Sequence, residues 1–220
     1  MKSWWKALAV LLLYYTIFAG MLMDVPRLAI LNETIRNLYF HVTMWFGMMI
    51  LLIISVVNSI KYLSKFHLHS DLVSSEAAKV AMLFGINGLI TGMLWAKFTW
   101  GAYWVNDVKL NGAAATMLVY SAYFLLRNSV EDEHKRAKLS SVYSIFAFAM
   151  MLVFIMILPR LNVDSLHPGI GGNPGFGNYD LDNKMRIIFY PAVIGWALLG
   201  VWIMKIRIRI KLIEERIFAK

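Results

Sequence analysis

Two of the five histidines, His41 and His167, stand apart from the charged runs of this chain and lie before and after one aromatic segment, Trp100-Gly101-Ala102-Tyr103-Trp104-Val105-Asn106-Asp107-Val108-Lys109-Leu110. There is no cysteine, so no thiolate nucleophile, thiolate metal site or disulfide can form. Metal chemistry would have to use imidazole, thioether or oxygen ligands. Two imidazoles beside aromatic faces suit a flat, metal-centred macrocycle held from both sides. His67, His69 and His134 fall among charged residues, and their spacing matches no ligand pattern; they read as solvated loop residues.

The elements that must position these residues are membrane spans. The chain is 60% hydrophobic over 220 residues, with a mean hydropathy of +0.61. It contains apolar runs of about 20 residues, the length that crosses a hydrocarbon core of about 30 Å as a helix. Spans are expected at about Trp4 to Met23, His41 to Ile60, Val80 to Phe98, Leu110 to Leu126, Leu139 to Leu158 and Ile188 to Met204. The runs lack the two-residue alternation of barrel strands. The expected fold is an all-α integral membrane protein, six transmembrane helices in one bundle forming a single domain over 1–220. The first span reads as retained, since its apolar run is long and no small-residue cleavage site follows it.

Lysine and arginine set the orientation. Fifteen fall at the N-terminus, in the second and fourth loops and in the tail; seven fall on the other side: Arg27, Arg36, Lys97, Lys109, Arg160, Lys184 and Arg186. That bias predicts cytoplasmic termini and an external aromatic loop at about 98–110. The net charge of +9 is then a topology signal and a match for anionic lipid, with no need of nucleic acid. The tail from Lys205 reads as a helix continuing out of the membrane.

The glycine- and proline-rich run Pro168 to Gly177 lacks the strand, helix and Lys-Ser/Thr pair of a phosphate loop and reads as a flexible connection. Acidic and basic residues are missing from mid-span, which speaks against a proton-coupled transporter or ion pump. Gly85, Gly88 and Gly92 share one face of the third span and predict close helix packing. The fourteen methionines read as bundle filler. Interfacial tryptophans such as Trp4, Trp5 and Trp196 or Trp202 fit an aromatic belt. Trp100 to Asp107 fits one poorly, because a belt needs no Gly, Asn and Asp among its rings.

The segment from Trp100 to Leu110 resembles the tryptophan-rich signature, roughly W-G-x-W-W-x-W-D-x-R-L, of haem-handling membrane proteins of cytochrome c maturation. With six spans, Tyr39-Phe40-His41-Val42 at a helix mouth and Leu166-His167 in the last external loop, the whole chain is similar in layout to the heme exporter protein C family (CcmC). Tyr103 and Asn106 stand where that signature has Trp, and Lys109 where it has Arg. These departures thin the aromatic platform and replace a planar bidentate donor by a point charge, leaving room for another basic residue.

The resemblance implies a non-enzymatic, multi-pass protein of the bacterial inner (plasma) membrane. Such a protein binds haem b transiently as cargo at the periplasmic face and delivers it to a haem chaperone, heme exporter protein E. Other cytochrome c maturation membrane proteins, including an ATP-driven transporter, are implied partners. It implies His41 and His167 as axial ligands. Trp100, Gly101, Tyr103, Trp104 and Asp107 would form the platform and chaperone-facing loop, and Lys109, Arg27 and Arg36 are candidate propionate partners. Two alternatives come from other classes. In a b-type cytochrome subunit the histidines would lie within the spans; a small-molecule permease would be colourless when purified.

Overall fold

The computed structural model describes residues 3–161, 165–167 and 181–218. The chain is all-helical there, without strands. The helices are α1 (Trp4–Leu22), α2 (His41–Lys65), α3 (Leu68–Trp100), α4 (Val108–Asn128), α5 (Glu133–Leu152) and α6 (Asn183–Phe218). A 3-10 run (Asn32–Tyr39) precedes α2, and α5 passes through a π turn (Val153–Ile157) into one last α-turn (Leu158–Leu161). The glycine- and proline-rich run lies outside the described residues.

Among the described residues, five helices are long and apolar enough to cross a membrane; α4, at 21 residues, falls short in apolarity. It carries Asn111, Gly112, Ser121 and Arg127 and turns Tyr120 and Tyr123 inward. The bundle is apolar outside as well as in. Leu11, Phe18, Ile53, Ile90, Leu118 and Phe146 are all exposed, which is the surface a hydrocarbon solvent calls for.

Inside, α2 and α3 form the centre, with α6 against both, α1 laid on α6, and α4 and α5 paired on the other flank. Met48, Met117, Met151 and Met204 fill this core as expected. Ser55 links Ser74 at 3.0 Å and Ser144 at 3.2 Å, so small hydroxyl residues let α2, α3 and α5 approach closely. A Cβ on Gly85 would meet the Met117 sulfur at 2.5 Å, and one on Gly88 would meet the Trp45 ring at 2.9 Å, which is the close packing the glycine face predicted. Trp202 sits edge-on to Trp5 at 6.3 Å as a belt residue would. Trp196 instead packs, half-buried, against the core and donates to the Tyr39 carbonyl at 3.3 Å.

The helices outrun the expected spans at one end. Of the second loop, only Phe66 and His67 lie outside a helix, and Lys61, Lys65 and Lys79 are helical. At 1.5 Å per residue, α3 with 33 residues is about 50 Å long. Its surplus is stitched to its neighbours by ion pairs: Arg127 of α4 grips Asp71 with both Nη atoms, at 2.7 and 2.5 Å, and buried Glu76 accepts from Lys79 at 2.5 Å and Arg207 of α6 at 2.6 Å. Hydropathy registers only the part of a helix that lipid must solvate, so these charged turns read as loop. His69 sits exposed in α3, and His134, also exposed, lies in the first turn of α5 with Tyr62 donating to its carbonyl at 3.1 Å. The tail does continue as helix, to Phe218. Trp5 meeting Trp202 places both described termini at this same end of the bundle.

Candidate functional site

The N-terminus of α2, the C-terminus of α3 and the N-terminus of α4 converge at the opposite end, and His41, Trp100 and Asp107 sit at these three points. His41 opens α2 and leans onto α3. Its Nδ1 lies 2.9 Å from the Gly88 carbonyl and 3.2 Å from the Thr91 hydroxyl. Gly92 makes the room: a Cβ there would stand 2.6 Å from His41 Cε1. Trp95 and Trp45 flank the ring edge-on at 5.8 and 6.4 Å, and Thr34 in the 3-10 run holds Trp95 through a 3.1 Å bond from Nε1. The glycine face of α3 therefore serves helix packing and also seats an imidazole, a use that spacing alone did not distinguish.

A carbonyl oxygen can only accept, so the bond to Gly88 places the proton of a neutral His41 on Nδ1. Its Nε2 keeps a free lone pair. The same holds for His167, whose Nδ1 is 2.8 Å from Asp107 Oδ1, another obligate acceptor when ionised. Trp100, the last residue of α3, meets the His167 ring at 5.0 Å in an edge-on arrangement. Both histidines thus present the state in which imidazole binds a metal through Nε2 while the other nitrogen is anchored.

Asp107 is the organising carboxylate. It caps α4, with Oδ1 accepting from the Lys109 and Leu110 amides at 2.8 and 3.4 Å. Its Oδ2 accepts from the Ser165 hydroxyl and the Leu166 amide, each at 2.8 Å, which fastens the last connection beneath the aromatic segment. Burial works to raise its pKa, but the bonds from His167, Ser165 and Leu166 and the influence of His167 outweigh it and hold the carboxyl well below the ordinary carboxylate range. The side chain is 1% exposed, so it faces the protein and not solution.

Gly101 ends α3 in the left-handed region, with φ +81°, where a side chain would be strained. Beyond it the loop turns outward: Tyr103 is 53% and Trp104 40% exposed. Lys97 holds the loop by donating to the Gly101 carbonyl at 2.9 Å and lying over the Tyr103 ring. Trp104 Nε1 donates to Asn111 at 3.2 Å, and Asn111 in turn donates to Asn106 at 2.8 Å. Asn106, where the signature has Trp, is thereby part of a polar brace.

The cationic candidates separate. Lys109 lies among the site residues, half-buried, and its charge bears on His41. Arg36 is committed elsewhere: it pairs with Glu33 at 2.8 Å and donates to the Gly20 and Met23 carbonyls, closing the end of α1. Arg27 is exposed on the first connection, and no described contact ties it to either histidine. A largely apolar groove of about 290 Å³ opens nearby between the 3-10 run and α3, lined by Phe98 but by neither histidine nor any residue from Trp100 to Leu110.

With two anchored imidazoles and an aromatic loop on one end of an apolar bundle, the comparison with known proteins is decisive. The model of the family described as heme exporter protein C, CcmC, matches residues 1–220. The chain belongs to this family. It is similar to the heme exporter protein C of Paracoccus denitrificans (strain Pd 1222), 24% identical over 191 residues that cover 86% of this chain and 77% of that protein. The heme exporter protein C of Bradyrhizobium diazoefficiens is 26% identical over 192 residues, 84% of this chain and 70% of that one. A shorter stretch of 88 residues, 40% of this chain, is 32% identical to the cytochrome c biogenesis protein CcsA of Synechococcus sp. (strain CC9902) and covers 29% of it. The heme exporter protein C family belongs to haem handling in cytochrome c biogenesis and is a transport component, not a class of catalyst.

Proposed function

We propose that this heme exporter protein C family member is a single haem-handling domain over 1–220, with six spans in the bacterial inner membrane and both termini in the cytoplasm. It binds haem b as cargo at the periplasmic face and delivers it to a haem chaperone of the heme exporter protein E type for cytochrome c biogenesis. His41 and His167 supply the axial imidazoles, Trp100 steadies His167, and exposed Tyr103 and Trp104 present the haem edge to the chaperone. Other maturation proteins, including an ATP-driven transporter, complete the system. The observation that carries this reading is the state of the two rings. Both hold Nδ1–H against fixed acceptors, which leaves Nε2 as the nitrogen of each ring able to bind a metal. Such rings fit an iron macrocycle gripped from both sides.

Absorption spectra of the purified protein with added haem test the assignment. Wild type should show the Soret and α bands of bis-imidazole haem. His41→Ala and His167→Ala should each shift those bands or lose the haem, while His69→Ala and His134→Ala should leave them unchanged. An unchanged spectrum in the His41/His167 double variant would sink the axial assignment.

A further inference from the structure

The π turn brings together two cations that no described carboxylate neutralises. Gly112 of α4 packs directly on the Phe154 carbonyl, with no space for a Cβ between them. The two helices are antiparallel, so Lys109, one turn outward from Gly112, and Arg160, under two turns outward from Phe154, approach the same level of the bundle end. Helical side chains lean toward the N-terminus of their own helix. Lys109 therefore leans outward and Arg160 leans back inward, its Nη1 donating to the Met156 carbonyl at 2.7 Å. The charge of Arg160 bears on Lys109, and that of Lys109 bears on His41.

Among the described residues neither cation has an ion-pair partner. Asp107 is near enough for Lys109 to feel it, but its two oxygens already accept from Lys109 N, Leu110 N, Ser165, Leu166 and His167. Two like charges at a lipid boundary repel, and screening is weak there. A dianion relieves them. Arg160 also supplies the planar, forked donor that Lys109 lacks at its motif position, since no contact among the described residues engages its Nε or Nη2.

We propose that Arg160, acting with Lys109, is the anionic-group seat of the site and receives the two carboxylates of the haem propionates. This rests on the haem reading above and adds to it a residue outside the aromatic signature. The π turn is its structural cause, because one added residue per turn rotates the end of α5 and brings Arg160 round toward α4. A lipid phosphate offers the same anionic chemistry, so the test must part the two.

The full-length protein in nanodiscs of phosphatidylcholine alone is titrated with haem and with haem dimethyl ester, whose propionates carry no charge. Arg160→Gln should weaken haem binding about tenfold, the scale of one charge-assisted hydrogen bond, with ester binding unchanged; Arg160→Lys should recover part of the loss. Equal weakening of haem and ester would overturn the proposal. So would an effect that appears only when anionic lipid is added, which would make Arg160 a headgroup ligand. If the spectrum responds to His41 and His167 but haem affinity ignores Arg160, this inference alone fails. If it ignores the histidines, the haem reading fails first and this one with it.

Discussion

The Asp107 carboxylate accepts from the first turn of α4 and from the His167 ring, so replacing it removes a helix cap and a ligand support together. Three variants separate these. Asp107→Ala should cost about 1 kcal/mol through the cap and lower haem affinity roughly 10- to 100-fold through the ring. Asp107→Ser keeps a cap but is too short for the ring, and should match Ala in affinity while regaining thermal stability. Asp107→Asn keeps an acceptor for both and should sit nearest wild type. The pH dependence has a definite sign. A carboxyl held below its ordinary value contributes stability that is fully present above about pH 4 and is lost as pH falls through the folded-state value. The melting temperature of haem-free wild type should therefore exceed that of Asp107→Asn above about pH 4, and the margin should narrow as pH falls below that. A margin that shrinks between pH 7 and 5 would show the carboxylate is not held as the hydrogen bonds indicate.

At the scale of elements, the long helices of the terminus-bearing end depend on charges that hydropathy treats as loop. Asp71 and Arg127 are nearly buried, with side chains 7% and 12% exposed, and join the start of α3 to the end of α4. Removing one partner strands the other: Asp71→Ala should destabilise the protein by about 3–5 kcal/mol, whereas replacing both with apolar residues of similar size should cost much less. Thermal unfolding in detergent measures this. The haem spectrum of whatever folds should match wild type, because the pair lies at the opposite end from His41. Pro191, inside α6, is the same kind of local problem solved by a neighbour. It leaves the Ile187 carbonyl without its helical donor, and the Tyr15 hydroxyl of α1 stands at 3.5 Å from it.

For the whole molecule, the alternating helices place both described ends of the chain at one end of the bundle and the histidines at the other, and the fifteen-to-seven charge bias predicts which compartment each end faces. Reporters active on one side only, fused after Gly101 and after Lys220, should give opposite answers; the same answer from both removes the six-span topology. Holding haem and handing it over should also separate. Trp100 touches His167, so Trp100→Ala should weaken retention modestly, a ring contact being worth on the order of 1 kcal/mol. Tyr103→Ala and Trp104→Ala, exposed and clear of both imidazoles, should retain the bis-imidazole spectrum and impair transfer. Chaperone-bound haem in cells at matched protein level reads this out, and normal transfer in both would reduce the loop's outer rings to a membrane belt.

Apolar run length alone determined that the chain is a helical membrane bundle, because lipid leaves the backbone no other way to satisfy itself. Residue type and placement also singled out His41, His167 and the aromatic segment, since these two histidines stand apart from the charged runs and Gly, Asn and Asp sit among the rings where a belt needs none. What only tertiary structure decided is which neighbours those residues have. Gly92 as the seat of His41 and Asp107 as the anchor of His167 each join positions roughly 50 residues or more apart in sequence. No periodicity records such pairs. The tautomer of each histidine, and with it the direction of its metal-binding nitrogen, is set by an acceptor on a different element. That choice exists only once the helices have packed.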